Sequence, residues 1–308
     1  GIRDVERSRG LGDVYKRQVD ELVAGEILER DGEMWQFRSD LVREVAYQTI
    51  TKADRASSHL GIAKWIEERA AEVDPSPPWV VDQLAHHFGT AVSLAVEAGP
   101  SARTDAFPDD LSDRARRWVD VAADRARRDQ ALPASIRLYG QALDLLELST
   151  TLVDEIDVEA AVASGAGADA APRTREVIRL RLARASAAVE GWDLELARSD
   201  ADEARRLAEH LEDRSGAARA MVLQGAVEQK EGDPDAAIEI LSHAVDEFRE
   251  LGDLGGMGDA LRQRGMVAIF AGRLDAADES LEAALDAFAR AEDPMGQAWT
   301  QQNLAWTA

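Results

Sequence analysis

Residues 213–252 read DRSGAARAMVLQGAVEQKEGDPDAAIEILSHAVDEFRELG, and residues 253–292 follow as DLGGMGDALRQRGMVAIFAGRLDAADESLEAALDAFARAE. Laid under one another, the two strings are variants of one pattern. A spacing of 40 residues brings Asp213, Asp253 and Asp293 into step, and likewise Gly216, Gly256 and Gly296. Gly225 and Gly265 match, with Ala305 next; Gly232 matches Gly272, Ala237 Ala277, Leu241 Leu281, Ala244 Ala284, and Phe248 Phe288. A period in this range, with small and apolar residues at fixed offsets, marks a stacked helical repeat. One such unit cannot bury its apolar face alone, so neighbours must nest into a solenoid. The sequence therefore predicts an all-α chain of helical hairpins.

Each repeated residue type has a physical role in that reading. A small residue in the first helix (Gly225, Gly265, Ala305) lets the partner helix cross closely, where a larger side chain costs about 1–3 kcal/mol of overpacking. Gly232 and Gly272 suit the left-handed turn that ends a helix. Asp213, Asp253 and Asp293 are placed to cap the helix that follows each of them. Alanines at 237, 244, 277 and 284 keep the second helix slim, and Phe248 and Phe288 fill the gap to the next hairpin.

Composition sets the outer limits. The 308 residues carry a net charge of −23, 45% apolar side chains, 5% aromatics and no cysteine. Such a negative field repels phosphates and anionic lipid, which argues against nucleic acid and membrane partners. Without cysteine there is neither a disulfide nor a thiolate metal site, in keeping with a reducing compartment. No apolar run has the length of a membrane span and no signal peptide pattern is present, so cytoplasm is the expected location.

From the N-terminus, Ser8 to Gln18 resembles the conceptual translation of a transposase adapter used in sequencing libraries, so residues 1–18 are set aside from fold reasoning. Residues 19–28 read as a short helix, Asp31-Gly32 as a tight turn and Glu33 to Phe37 as a half-buried strand. With a helix from Leu41, capped by Asp40, residues 19–50 suggest a winged-helix remnant. Its eight acids against three arginines argue against DNA contact, and it reads as a packing module. Residues 51–100 form a helical connector, with helices over 53–71 and 79–95 separated by the Asp74-Pro75-Ser76-Pro77-Pro78 breaker. Residues 109–148 make a helical hairpin, its first helix over 111–129. The many arginines of that helix read as exposed pairs with Asp113, Asp120 and Asp124 four residues away rather than as a nucleic-acid stripe. Residues 149–172 hold five acids, no base and an Ala/Gly run, the composition of a flexible tether. Residues 173–308 carry the repeats, beginning with a hairpin around Gly191. The last unit supplies only a first helix through Trp306, which predicts a chain cut at both ends and self-association through the truncated end.

The run Gly225, Gly232, Ala237, Ala244 resembles the tetratricopeptide repeat, although Gln224 and Arg264 stand where that family usually has leucine and the period is longer. Further upstream, Phe37-Arg38-Ser39-Asp40-Leu41-Val42-Arg43-Glu44-Val45-Ala46-Tyr47 is similar to the segment closing the ATPase module of bacterial STAND-type signalling regulators. Arg55, His59, Trp65 and Leu84-Ala85-His86-His87-Phe88 continue that likeness. The resemblance implies an ATPase core upstream on which residues 19–50 would dock. It further implies a parent that is cyclase-linked (adenylate or guanylate cyclase) or a LuxR-type activator. Ser39 replaces a histidine often found in that family, so no role is carried over to it.

Chemistry is sparse. Beyond the adapter-like string the lysines are Lys52, Lys64 and Lys230, and none follows a glycine-rich phosphate loop. Gly255-Gly256-Met257-Gly258 follows a helix rather than a strand, against a dinucleotide fingerprint. Of the five histidines, adjacent His86 and His87 are expected on different sides of a helix, unlike an i, i+4 metal pair. The expectation is thus no catalytic residue, no cofactor and no metal. What remains is a groove that the repeat resemblance lines with Arg219, Val222, Gln229, Asp259, Arg262 and Met266. A mixed surface of that kind suits a protein or peptide partner.

Overall fold

The computed structural model describes residues 18–31, 34–70, 78–99, 107–108, 110–154 and 170–307. The adapter-like string up to residue 17, the Gly32 turn, the breaker, most of the loop at 99–108 and the middle of the 149–172 segment lie outside these residues. Among those described there are thirteen helices and one two-stranded antiparallel sheet near the N-terminal end, which confirms the all-α hairpin stack. The order is α1 (18–24), β1 (Leu28–Asp31), β2 (Met34–Phe37), α2 (Asp40–Thr49), α3 (Lys52–Ala70), α4 (Pro78–Ala98), α5 (Leu111–Arg128) and α6 (Leu132–Asp154). There follow α7 (Ala170–Glu190), α8 (Leu194–His210), α9 (Arg214–Glu231), α10 (Pro234–Leu251), α11 (Leu254–Phe270), α12 (Leu274–Arg290) and α13 (Pro294–Leu304). Each helix from α3 to α6 packs on the next, and so does each from α6 to α13. No described helix is long and apolar enough to cross a membrane.

The repeat works as its residues dictate. Asp213, Asp253 and Asp293 cap α9, α11 and α13 by accepting from the amides of Gly216, Gly256 and Gly296 at 2.8–3.0 Å. Asp193 and Asp233 do the same for α8 and α10. Gly232 and Gly272 take positive φ of 92° and 71°. A Cβ on Gly225 would lie 2.6 Å from Leu241, and one on Gly265 would lie 2.6 Å from Leu281. Phe288 sits against Gly258 and Gly296 so closely that a Cβ on either would stand 2.8 or 2.4 Å from its ring; Gly256 clears Phe248 in the same way. Gly256 and Gly258 are therefore packing clearance at the start of a helix.

The register also extends one unit further back than the sequence suggested. Ala185, Ala197, Ala201, Ala204 and Ala208 fall 40 residues before their counterparts, and all are fully buried. The polar residues at the usual leucine position form a hydrogen-bonded layer. Arg184 and Arg181 both pair with Asp200, whose side chain is 1% exposed. Arg264 donates to Ser280 and Ser242, while Gln224 donates to Asp202 and accepts from Arg205. Buried polar groups must find partners, and here each departure from leucine comes with its partner built in.

Several expectations are corrected. The first helix stops at residue 24, because Gly25 and Glu26 (φ 58°) turn the chain and Leu28 pairs with Phe37 in the sheet. The cap of α2 is Ser39, accepting from the Val42 amide, and not Asp40. Within this chain none of the described residues of 19–50 is buried, and Leu41, Val45 and Trp35 stay exposed. The hairpin after α7 does turn around Gly191, with Trp192 taking the positive φ of 61°. Both helices flanking the 149–172 segment run into it, to Asp154 and from Ala170, since each added helical residue gains one backbone bond.

The arginines of α5 reach chiefly across helices, although Arg125 also pairs with Asp129 four residues on and Arg116 with Asp113 three residues back. Arg114 meets Glu67, Arg116 meets Glu176, Arg125 meets Asp82 and Arg127 meets Glu190. Asp120 is held by Arg179, and Asp124 accepts from the hydroxyl of the fully buried Tyr139. Cross-helix partners win because they are less exposed, where water screens a pair less.

Two substitutions test this packing by urea denaturation. Gly265→Val is expected to destabilise the chain by about 1–3 kcal/mol through overpacking against Leu281. Asp200→Ala, which strands two arginines, is expected to cost about 3–5 kcal/mol. Unchanged midpoints in both would show that these helices do not meet as described.

Candidate functional site

In the repeat region the first helices of successive hairpins touch one another (α7 with α9, α9 with α11, α11 with α13). The second helices stand wider apart, and between α8 and α10 they leave an open cleft of about 730 Å³. Closer spacing on one side curves the stack and makes the first-helix side the inner face. The cleft on the outer side is lined by Arg205, Glu209, Arg214, His243, Asp246 and Glu247 among others.

The six residues expected in the groove all fall on α9 and α11. Arg219 pairs with Asp253 at 3.5 Å, Asp259 lies 3.9 Å from Arg262, and Gln229 accepts from Gln263 at 2.7 Å. Met266 is half-buried, while Val222 packs onto the core beside Ala237, Leu241 and Val267. Asp259 is the informative member. Its side chain is 61% exposed, yet the protein mass around it raises its carboxyl pKa, partly offset by Arg262 and Arg219 and reinforced by Asp293 and Asp253. Gln263, Asp253 and Asp293 complete this cluster; the sequence reading assigned Asp253 and Asp293 to caps only and left Gln263 aside.

A second constellation contradicts the expectation that His86 and His87 diverge. Helices α3 and α4 cross so that His59 meets both, and the rings of His86 and His87 lie 5.0 Å apart between centroids. One nitrogen from each of the three lies within 4.8 Å of the others. His59 Nδ1 shares a hydrogen bond of 2.8 Å with His87 Nδ1, and the Tyr47 hydroxyl bonds the other nitrogen of His59 at 3.0 Å. Burial, then the neighbouring His86, then His59 depress the His87 pKa to about 4. Burial, His86 and Arg55 lower that of His59.

No protein-family model and no curated protein matches the chain. Among solved structures it is similar to a Rap protein complexed with competence and sporulation factor, at 11% identity and a TM-score of 0.51 over 86% of this chain and 69% of that one. Aspartyl phosphate phosphatase F from Bacillus subtilis aligns at 15% identity and a TM-score of 0.49, over 87% and 60%. A STAND protein with a tetratricopeptide repeat sensor from Pyrococcus horikoshii aligns at 16% and 0.37, over 94% of this chain and 42% of that one. The likeness to the Rap protein speaks to the fold: a stack of helical hairpins.

The lowered histidine pKa values set a pH dependence. Unfolded, His87 takes a proton near its ordinary 6.5; folded, it resists down to about 4. Between those values the unfolded chain binds more protons, so stability present above pH 6.5 is lost as pH falls toward 4. Melting temperatures from pH 7.5 to 4.5 are expected to fall more steeply for the native chain than for His87→Gln. Parallel curves would remove His87 from the account.

Proposed function

We propose that the chain is a non-catalytic interaction arm of a STAND-type ATPase regulator, its repeats receiving a protein or peptide partner on the inner face. The observation that carries this reading is the cluster of Arg219, Asp253, Asp259, Arg262 and Asp293 on adjoining first helices. Paired charges of both signs, flanked by Met266 and Gln229, offer orienting contacts along a groove. The overall charge of −23 favours a partner segment rich in lysine and arginine, since opposite fields steer association. A structure of the same fold was solved with a bound factor, the Rap protein complex, which is in keeping with a binding role.

Residues 18–50 fit the second half of the proposal. None of the described ones is fully buried within this chain, and they expose Leu41, Val42, Val45, Trp35 and Phe37, a face suited to the ATPase core of a parent protein. This is the winged-helix reading of the helix, hairpin and helix at this end. Recovering the flanking gene distinguishes the possible parents: an upstream cyclase domain, a downstream LuxR-type DNA-binding domain, or neither. The outer end of the stack is equally bare, with Met295, Trp299 and Trp306 exposed and Ala305 uncovered where Gly225 and Gly265 meet a second helix. Self-association through that end is part of the same proposal.

Selection of a displayed peptide library on the intact chain tests the groove. Enriched peptides are expected to be basic and to lose about tenfold or more in affinity to Asp259→Lys, a loss of about 1.4 kcal/mol, while Glu209→Lys in the outer cleft leaves binding intact. Peptides indifferent to Asp259→Lys would contradict the groove assignment. Calorimetry with magnesium ATP is expected to show no heat of binding; a measurable affinity would overturn the non-catalytic reading.

A further inference from the structure

We propose that His59, His86 and His87 form a three-imidazole site for a divalent transition-metal ion of the zinc class at the crossing of α3 and α4. The geometry argues for it directly. One nitrogen from each ring lies within 4.8 Å of the other two, and zinc bound at about 2.0–2.1 Å from each imidazole holds tetrahedral ligands roughly 3.3 Å apart. Closing that gap takes small ring rotations on two helices whose backbones are already packed together. The shared hydrogen bond between His59 and His87 accounts for two of the rings; a metal accounts for all three.

The chemistry of the set selects the ion. Its donors are imidazoles with no carboxylate among them, which suits zinc, copper or nickel and excludes calcium and magnesium, the oxygen-seeking cations. Tyr47 contributes from outside: its hydroxyl engages one nitrogen of His59 and leaves the other facing the cluster. A metal-binding histidine is commonly held this way through its second nitrogen. His86 is exposed, and a cavity of about 380 Å³ opens beside it, lined also by Asp82, Arg125 and Gln141. That gives an ion a route in and leaves a fourth coordination position for water or a partner's side chain. Arg55, stacked over Tyr47 at 4.8 Å, opposes a cation and tempers the affinity.

Such a site would tie metal to the seating of residues 18–50, because Tyr47 is on α2 and the ligands are on α3 and α4. The signal is invisible to spacing rules for one helix, since His59 lies 27 positions before His86.

The test titrates zinc chloride into the intact chain carrying no histidine tag, read by calorimetry, with cobalt(II) absorption as a second readout. One ion per chain is expected, with visible d–d bands for cobalt and a zinc-dependent rise in melting temperature. His86→Ala, an exposed position that leaves folding intact, is expected to weaken zinc by about 10–100-fold or more, since even outer-shell losses reach that range. His210→Ala with His243→Ala is expected to leave binding unchanged. Absence of zinc binding, or binding that survives both His86→Ala and the double variant His86→Ala with His87→Ala, would overturn the proposal.

Discussion

Two phenylalanines without room of their own organise this molecule. Phe288 points from α12 into a space bounded by Gly258 on α11 and Gly296 on α13, and any side chain at either glycine would overlap its ring. Phe248 makes the same demand of Gly256 one unit earlier, and the first helix facing it there carries Ala218. Burying a phenylalanine is worth about 1.5–3 kcal/mol, and that gain exists only if the neighbouring backbones approach within side-chain contact. The glycines permit the approach, and the phenylalanines reward it. Since a glycine inside a helix costs about 1 kcal/mol relative to alanine, the trade is favourable only when the hairpins nest. Stacking is thus selected over separate hairpins by the same residues that weaken each helix alone.

This explains why the repeat was legible. Packing contacts that recur every 40 residues impose the same residue types at the same offsets, so Gly225 with Leu241 and Gly265 with Leu281 can be read as pairs before any coordinates exist. Caps are local in the same sense, because an aspartate three residues before a bonded amide is a sequence feature. The backward extension into α8 was harder to see. Ala201 and Ala208 replace the leucine and phenylalanine of later units, and the smaller residues preserve the geometry while erasing the pattern.

What the sequence hid depends on contacts between distant segments. Arg264 and Gln224 read in the sequence only as departures from a family pattern, because their partners, Ser280 and Asp202, lie on other helices; the pairing of Arg184 with Asp200 is hidden for the same reason. The α5 arginines were assigned to aspartates four residues away because that is the only neighbour a single helix offers, whereas Glu67, Glu176 and Glu190 come from other helices. The meeting of His59 with His86 and His87 is the same case. The groove residues, by contrast, came from the repeat resemblance and do fall together on the two expected helices, with Val222 turned toward the core.

A double-mutant cycle between Gly258 and Phe288 tests the nesting of hairpins most directly. Gly258→Ala alone should destabilise the chain, and combining it with Phe288→Leu should recover part of that loss, giving a coupling of about 0.5–3 kcal/mol. Strict additivity of the two changes would mean that the side chain and the glycine never meet, and the stacked architecture described here would be wrong.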